Sequence, residues 1–296
     1  MAGQSTTLKS LTPYAALFGA IITLCVGASF AKQLFPIVGA QGATAYRVGF
    51  SALLLLAIWQ PWHHPIGRAD LKTVALYGAV MGLMNLSFYM ALRTIPLGLA
   101  IAIEFMGPLG LALLHSRRLI HFVWIGFAVL GLGLLLPINP GAKALDPVGV
   151  GFAGAAAVLW ALYIVLGKRA GHLHAGRTVA LGMSMAAIIV VPFGLASAGA
   201  ALFQPGLLVL GLGVAVLSSA IPYSLEMIAL QGIPKRSFGV MLSAEPAAGA
   251  VAGLILLGER LSALQWLAIG AIVVASVGTI LTTPGEMEPQ LENPLP

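Results

Sequence analysis

Residues 262–282 read SALQWLAIGAIVVASVGTILT, with no charged side chain among them. Apolar runs of this kind recur along the chain, and they constrain its fold more than any other feature. A run of about 20 residues, at 1.5 Å per residue in a helix, crosses the roughly 30 Å hydrocarbon core of a bilayer. In lipid every backbone N–H and C=O must be satisfied inside the protein, which leaves helices and closed barrels. A barrel needs period-two alternation of polar and apolar residues, and these runs do not alternate. Composition agrees. Hydrophobic residues make up 59% of the chain and charged residues only 8%, whereas a soluble domain carries about a quarter. The expected fold class is an all-α integral membrane protein.

Ten spans are expected, at residues 14–34, 43–60, 72–92, 97–114, 120–136, 148–168, 176–196, 207–228, 237–257 and 262–282. The connections are short. The N-terminus, MAGQSTTLKSLTP, lacks a small-residue cleavage pattern, so the first run reads as a retained helix and not a signal peptide. Residues 284–296, rich in Pro and Glu, read as a disordered tail.

An even number of spans puts both termini on one side. With the N-terminus cytoplasmic, the inner segments hold Lys9, Arg68, Lys72, Arg117, Arg118, Lys168, Arg169, Arg177, Lys235 and Arg236. The outer loops then hold Arg93, Lys143 and Arg260, while Lys32 and Arg47 lie at or within span ends. This asymmetry is the positive-inside pattern and places both termini in the cytoplasm. It also accounts for the net charge of +6 without nucleic acid as a partner.

The chain repeats itself. Ala91-Leu92-x-x-Ile95-Pro96 returns as Ala229-Leu230-x-x-Ile233-Pro234, and Pro108 matches Pro246 at the same offset of 138. Lys32 matches Lys168 at 136. Each half holds five spans, 14–137 and 148–283, so an odd number per half makes the two halves cross in opposite senses. The loop charges agree, because Ile95-Pro96 is followed by Leu97-Gly98 but Ile233-Pro234 by Lys235-Arg236. Inverted repeats with interrupted helices are an architecture of secondary transporters.

The stretch LGLAIAIEFMGPLGLALL, residues 97–114, carries one charge, Glu104, and a proline one turn on, Pro108. A carboxylate at mid-membrane costs about 2.5–3.5 kcal/mol even on lenient insertion scales, so Glu104 is expected to face the protein interior. It is either a proton-exchanging group in a polar cavity or a permanently protonated partner for a neighbouring helix. Pro108 removes a backbone donor and clashes with the carbonyl of Glu104, four residues back. Irregular backbone at this depth survives only where it is buried in protein or lines a water-filled cavity. Glu245-Pro246 marks a comparable break in the second half, so Pro108 and Pro246 are candidate hinges.

Other polar groups fall inside the spans. Arg47 and Lys32 flank the first outer loop and either snorkel to headgroups or point inward to a substrate carboxylate or a glutamate. Asn85 and Tyr89, Trp160 and Tyr163, and Tyr223 could line a pocket for a small polar molecule or bond between helices. Glu226 reads as an interhelical partner or coupling group, and Glu259 and Arg260 as an outer turn that pairs or is solvated. Gly78-x-x-x-Gly82 and Gly249-x-x-x-Gly253 read as close helix packing. The single cysteine, Cys25, reads as a packing residue. The six histidines lie in or beside loops with no ligand spacing, so neither a metal nor a cofactor is expected. GxSxG, Walker and GxGxxG motifs are absent.

Taken together, ASFAKQLFPIVGA (28–40), IPLGLAIAIEFMGPL (95–109), SRRLIHFVWIGFAVLGL (116–132), IPYSLEMIAL (221–230) and the region from FGVMLSAEP to LGERL (238–261) resemble the drug/metabolite transporter superfamily with its two EamA-type repeats. Within it they are similar to the bacterial exporters of threonine and homoserine. The resemblance implies export of small neutral, zwitterionic amino acids across the inner membrane, driven by protons. Alternating access by Glu104 exchange and proline hinges would be the mechanism. An exporter or facilitator of another metabolite on the same scaffold is the alternative. A membrane-embedded enzyme is a further one, against which the short, acid-poor loops argue.

Overall fold

The computed structural model describes residues 3–63, 67–114, 119–135, 145–170, 173, 175–222, 225, 229 and 241–282. They are almost entirely helical, with no strand among the described residues. The helices are α1 (Gly3–Gln33), α2 (Phe35–Trp59), α3 (Arg68–Ala91), α4 (Leu97–Glu104), α5 (Met106–Leu114) and α6 (Ile120–Leu135). There follow α7 (Pro147–Arg169), α8 (Ala175–Ala198), α9 (Pro205–Ala215) with a π turn at Val216–Ala220, α10 (Glu245–Leu257) and α11 (Ala263–Thr282). Glu226, Tyr223 and the tail at 284–296 lie outside the described residues.

Among the described residues, five helical segments are long and apolar enough to cross a membrane: Thr12–Gln33, Phe35–Trp59, Arg68–Ala91, Pro147–Arg169 and Gly176–Phe203. Shorter apolar helices include Leu97–Leu111, Pro205–Ala220, Glu245–Leu257 and Ala263–Thr279. Their outward faces are apolar as well. Phe18, Leu53, Ile188, Val209 and Ile255 are each more than half exposed. A monomer in water rarely exposes so much contiguous apolar surface, whereas in lipid it is the surface that faces solvent.

Small residues set the helix pairings. A methyl group at Gly78 would overlap the Gly182 carbonyl, and one at Gly82 would come within 2.9 Å of Ala186 Cα. The first GxxxG therefore packs α3 on α8, as a packing motif should. Gly107 brings α5 onto the Ala157 backbone of α7. On α11, Gly278 lies under the Trp124 ring, whose Nε1 donates to Thr282 Oγ1 at 2.9 Å.

The helix starting at Phe35 begins eight residues before the expected 43, because Pro36 sits in its first turn, where a missing N–H costs nothing. It is kinked at Gly39, whose φ of 70° lies in the left-handed region that favours glycine. At the N-terminus of α7, Asp146 accepts from the Val148 and Gly149 amides at 3.4 and 3.1 Å. A hydrogen bond from the Thr94 side chain, then those amides, hold this carboxyl below its ordinary range despite partial desolvation.

The two segments singled out for their carboxylate–proline pairs are both broken. The 97–114 segment divides at Phe105, directly after Glu104. In the second half a turn at Ser243–Ala244 directly precedes Glu245. There Pro246 opens a helix in its first turn, so the break lies before the proline. Pro108, by contrast, sits inside α5 three residues after its break.

Candidate functional site

The two short helices that bear the carboxylates, α4 and α10, pack side by side and antiparallel. A methyl at Gly98 would meet Ala250 at 2.5 Å, and the Ile101 side chain lies against Gly249. One turn further along that seam brings the buried Glu104 and Glu245 to the wall of one cavity. The cavity measures about 200 Å³, below the roughly 300–1,000 Å³ typical of drug-sized ligands, so it suits a smaller molecule.

Arg47 of α2 reaches the same cavity and is only 8% exposed. It does not snorkel. Its Nη2 donates to the Ser218 carbonyl at 3.2 Å, and its guanidinium carbon stands 5.5 Å from the centroid of the Tyr89 ring. That carbonyl belongs to the π turn, a distortion found often at functional sites. The turn is pressed close to α1, since a methyl at Gly27 would come within 2.7 Å of Ser218 N. Tyr89 is fully buried and also packs on Phe35 and Phe88. It therefore supports Arg47 and does not line the cavity.

Asn85 lines the cavity from α3. Its Nδ2 donates to the Met81 carbonyl at 2.8 Å, which fixes the amide plane. Trp160 and Tyr163 line it from α7. The Trp160 ring meets Phe105 edge-on at 5.4 Å, so the residue at the break in the fourth segment orients it. Tyr163 stacks on Tyr77 at 4.8 Å, with the Tyr77 hydroxyl donating to the Tyr163 hydroxyl at 2.9 Å. Ser243, two residues before Glu245, is tied to Ser276 of α11 at 2.7 Å.

Lys32 is placed elsewhere. Its Nζ lies 2.7 Å from Glu259 Oε1 and donates to the Ile95 carbonyl at 3.0 Å. Three residues that the sequence did not mark as site residues come to the fore: Cys25 and Ser218 on the cavity wall, and Glu259 as the partner of Lys32. Serine and cysteine are common in membrane helices as packing residues, and nothing in their spacing singled these out. The described residues contain no group of His, Cys, Asp or Glu that could hold a metal ion.

Among the described residues, this arrangement offers two acids, one cation and an amide in a small buried space, the complement of a zwitterion. An EamA-like transporter family model matches residues 147–281. A threonine/homoserine exporter, RhtA, of Salmonella typhimurium strain SL1344 is 46% identical over 292 residues, covering 99% of this chain and 98% of its own. The exporter of the same name in Escherichia coli strain K12 is 46% identical over 282 residues, covering 95% and 96%. The chain belongs to the EamA-like transporter family. This EamA-family chain is thus a transporter of the drug/metabolite superfamily and not an enzyme. Its fold is shared with a solved crystal structure that is 18% identical, at a TM-score of 0.56, over 93% of this chain and 96% of the other.

Proposed function

We propose that this transporter exports small neutral amino acids, threonine- or homoserine-like, across the bacterial inner membrane by proton antiport with alternating access. Ten spans in two inverted five-helix repeats, with both termini cytoplasmic, would form the scaffold. The observation that carries this reading is the convergence of Glu104, Glu245 and Arg47 on one buried cavity. The names of the relatives, exporters of threonine and homoserine, support the substrate class.

The substrate carboxylate pairs with the Arg47 guanidinium, a planar donor fork suited to it. The ammonium sits between the two glutamates. As substrate binds from the cytoplasm, Glu104 gives up its proton to that side and becomes the ammonium's counter-ion. After the cavity opens outward and the substrate leaves, Glu104 takes a proton from outside. The protonated carrier then returns. One proton enters for each neutral zwitterion exported, so the cycle moves one positive charge inward.

The test is efflux of radiolabelled threonine from preloaded proteoliposomes, in inside-out orientation and its opposite, with and without an imposed pH gradient. The reading expects counter-flow of proton and substrate, accelerated by a membrane potential of the sign that draws positive charge in the proton's direction. Efflux indifferent to both gradients would leave a facilitator, and no transport of threonine or homoserine would refute the substrate class.

A further inference from the structure

We propose that Lys32 and Glu259 form a gate that shuts one end of the cavity, the end that the loop charges place outside. The proposal rests on the alternating-access reading above, and its test needs no substrate.

The pair joins four parts of the chain. Lys32 lies in the last turn of α1, and its Nζ is 2.7 Å from Glu259 Oε1 in the turn after α10. The same Nζ donates to the Ile95 carbonyl at 3.0 Å, in the α3–α4 turn. The other carboxylate oxygen, Glu259 Oε2, accepts from the Leu97 amide at 2.8 Å, at the start of α4. A carboxylate at that position is favoured by the helix dipole.

This cluster sits one helical turn beyond the cavity wall. Ala28 lines the cavity and Lys32 is four residues further on; Ile101 lines it and Leu97 is four residues before. Ala31, Leu92, Ile95 and Leu97 fill the space around the cluster, each at most 1% exposed. That end is therefore closed by an apolar plug, with the ion pair clasping it.

The clasp differs from the plug in one respect. Lys32 and Glu259 keep 20% and 14% of their side chains exposed. When they part, both charges can be taken up by water at little cost, whereas a fully buried pair would be left stranded. Such a contact can open and reclose. It also grips the start of α4, an eight-residue helix whose other end is Glu104. Opening the clasp thus frees the element that carries the cavity's carboxylate, which makes Lys32 and Glu259 positioning residues for transport.

Cys25 is the chain's only cysteine and it lines the cavity, so it reports opening without any engineering. The measurement is its labelling rate by a membrane-impermeant thiol reagent in right-side-out membrane vesicles. Lys32→Met and Glu259→Gln should each raise the rate about three- to tenfold, by weakening one partly buried ion pair that favours the closed state. The double variant should be no faster than the faster single, because both remove one contact. Lys32→Arg should label at close to the wild-type rate. Unchanged rates in both single variants would overturn the gate. So would additive increases or an equal increase in Lys32→Arg, since those mark general loosening, and so would a rise confined to inside-out vesicles. Failure of threonine efflux with the labelling pattern intact would refute the substrate reading alone.

Discussion

Glu104 owes its setting to two neighbours that only the folded chain supplies. It closes α4, where Phe105 interrupts the helix, and it shares a cavity with Glu245 and Arg47. Its inward placement was legible in the sequence, because a lone carboxylate in an apolar span is costly on the lipid side. Arg47 was half legible. Its place inside span two left snorkelling open, and only the Ser218 carbonyl and the Tyr89 ring show that it turns inward. Cys25 and Ser218 were not legible, since which face of a membrane helix meets a cavity depends on the partner helices and not on its own residues. Glu104→Gln keeps shape and removes titration. We expect the protein to fold and pH-driven threonine efflux to fall at least about a hundredfold, as loss of a proton-transferring group does. Exchange of internal for external threonine, which needs no net proton movement, should fall far less. Reconstituted wild type and variant at matched protein level provide the comparison. Wild-type efflux with unchanged pH dependence would show a structural Glu104 and shift the coupling role to Glu245.

At the scale of elements, the broken segments were the most readable feature and also the one with the most instructive difference. Proline placement located both breaks to within a few residues. In the first half the chain departs from the helix at Phe105, on the N-terminal side of Pro108, where the ring's clash falls. In the second half Pro246 opens α10, and the break at Ser243–Ala244 precedes it. The start of the second helix was misjudged because Phe35-Pro36-Ile37-Val38 reads as a loop flank, yet it forms a helical turn before the kink at Gly39. These differences bear on Pro108. Replacing it with Ala restores a donor for the Glu104 carbonyl and removes the ring. We expect a straighter, better bonded segment, no loss of thermal stability, and transport reduced about tenfold, as hinge substitutions do. Efflux and a detergent-solubilised melting curve on the same preparation separate the two effects. Full transport with raised stability would make the kink a packing feature.

For the whole molecule, periodicity and hydropathy carried the fold class, while charge supplies the proposed orientation. The helical content follows from what lipid permits, and the apolar outer faces of Leu53, Ile188 and Val209 show where that lipid lies. Pairing between helices was less legible. Both GxxxG motifs lie at close contacts, Gly78 and Gly82 against Gly182 and Ala186 of α8, Gly249 and Gly253 against Ile101 and Leu97 of α4, but neither motif names its partner helix. Orientation rests on the excess of Lys and Arg in alternate connections, and it decides which end of the cavity the Lys32–Glu259 pair faces. In a Cys25→Ser background, two exposed positions test it without altering any charge: Ala69 at the start of α3 and Gln204 just before α9. With both termini in the cytoplasm, Ala69 lies inside and Gln204 outside. Gln204→Cys should react with an impermeant maleimide in intact cells, and Ala69→Cys only after the membrane is permeabilised. Each substitution is at a solvent-accessible site near a helix end, so neither should disturb packing. The opposite labelling pattern would invert the whole molecule in the membrane. It would move the Lys32–Glu259 pair to the cytoplasmic end and overturn the outer gate, while the direction of transport would stay outward, because the proton gradient and not the carrier's orientation sets the direction of an antiport.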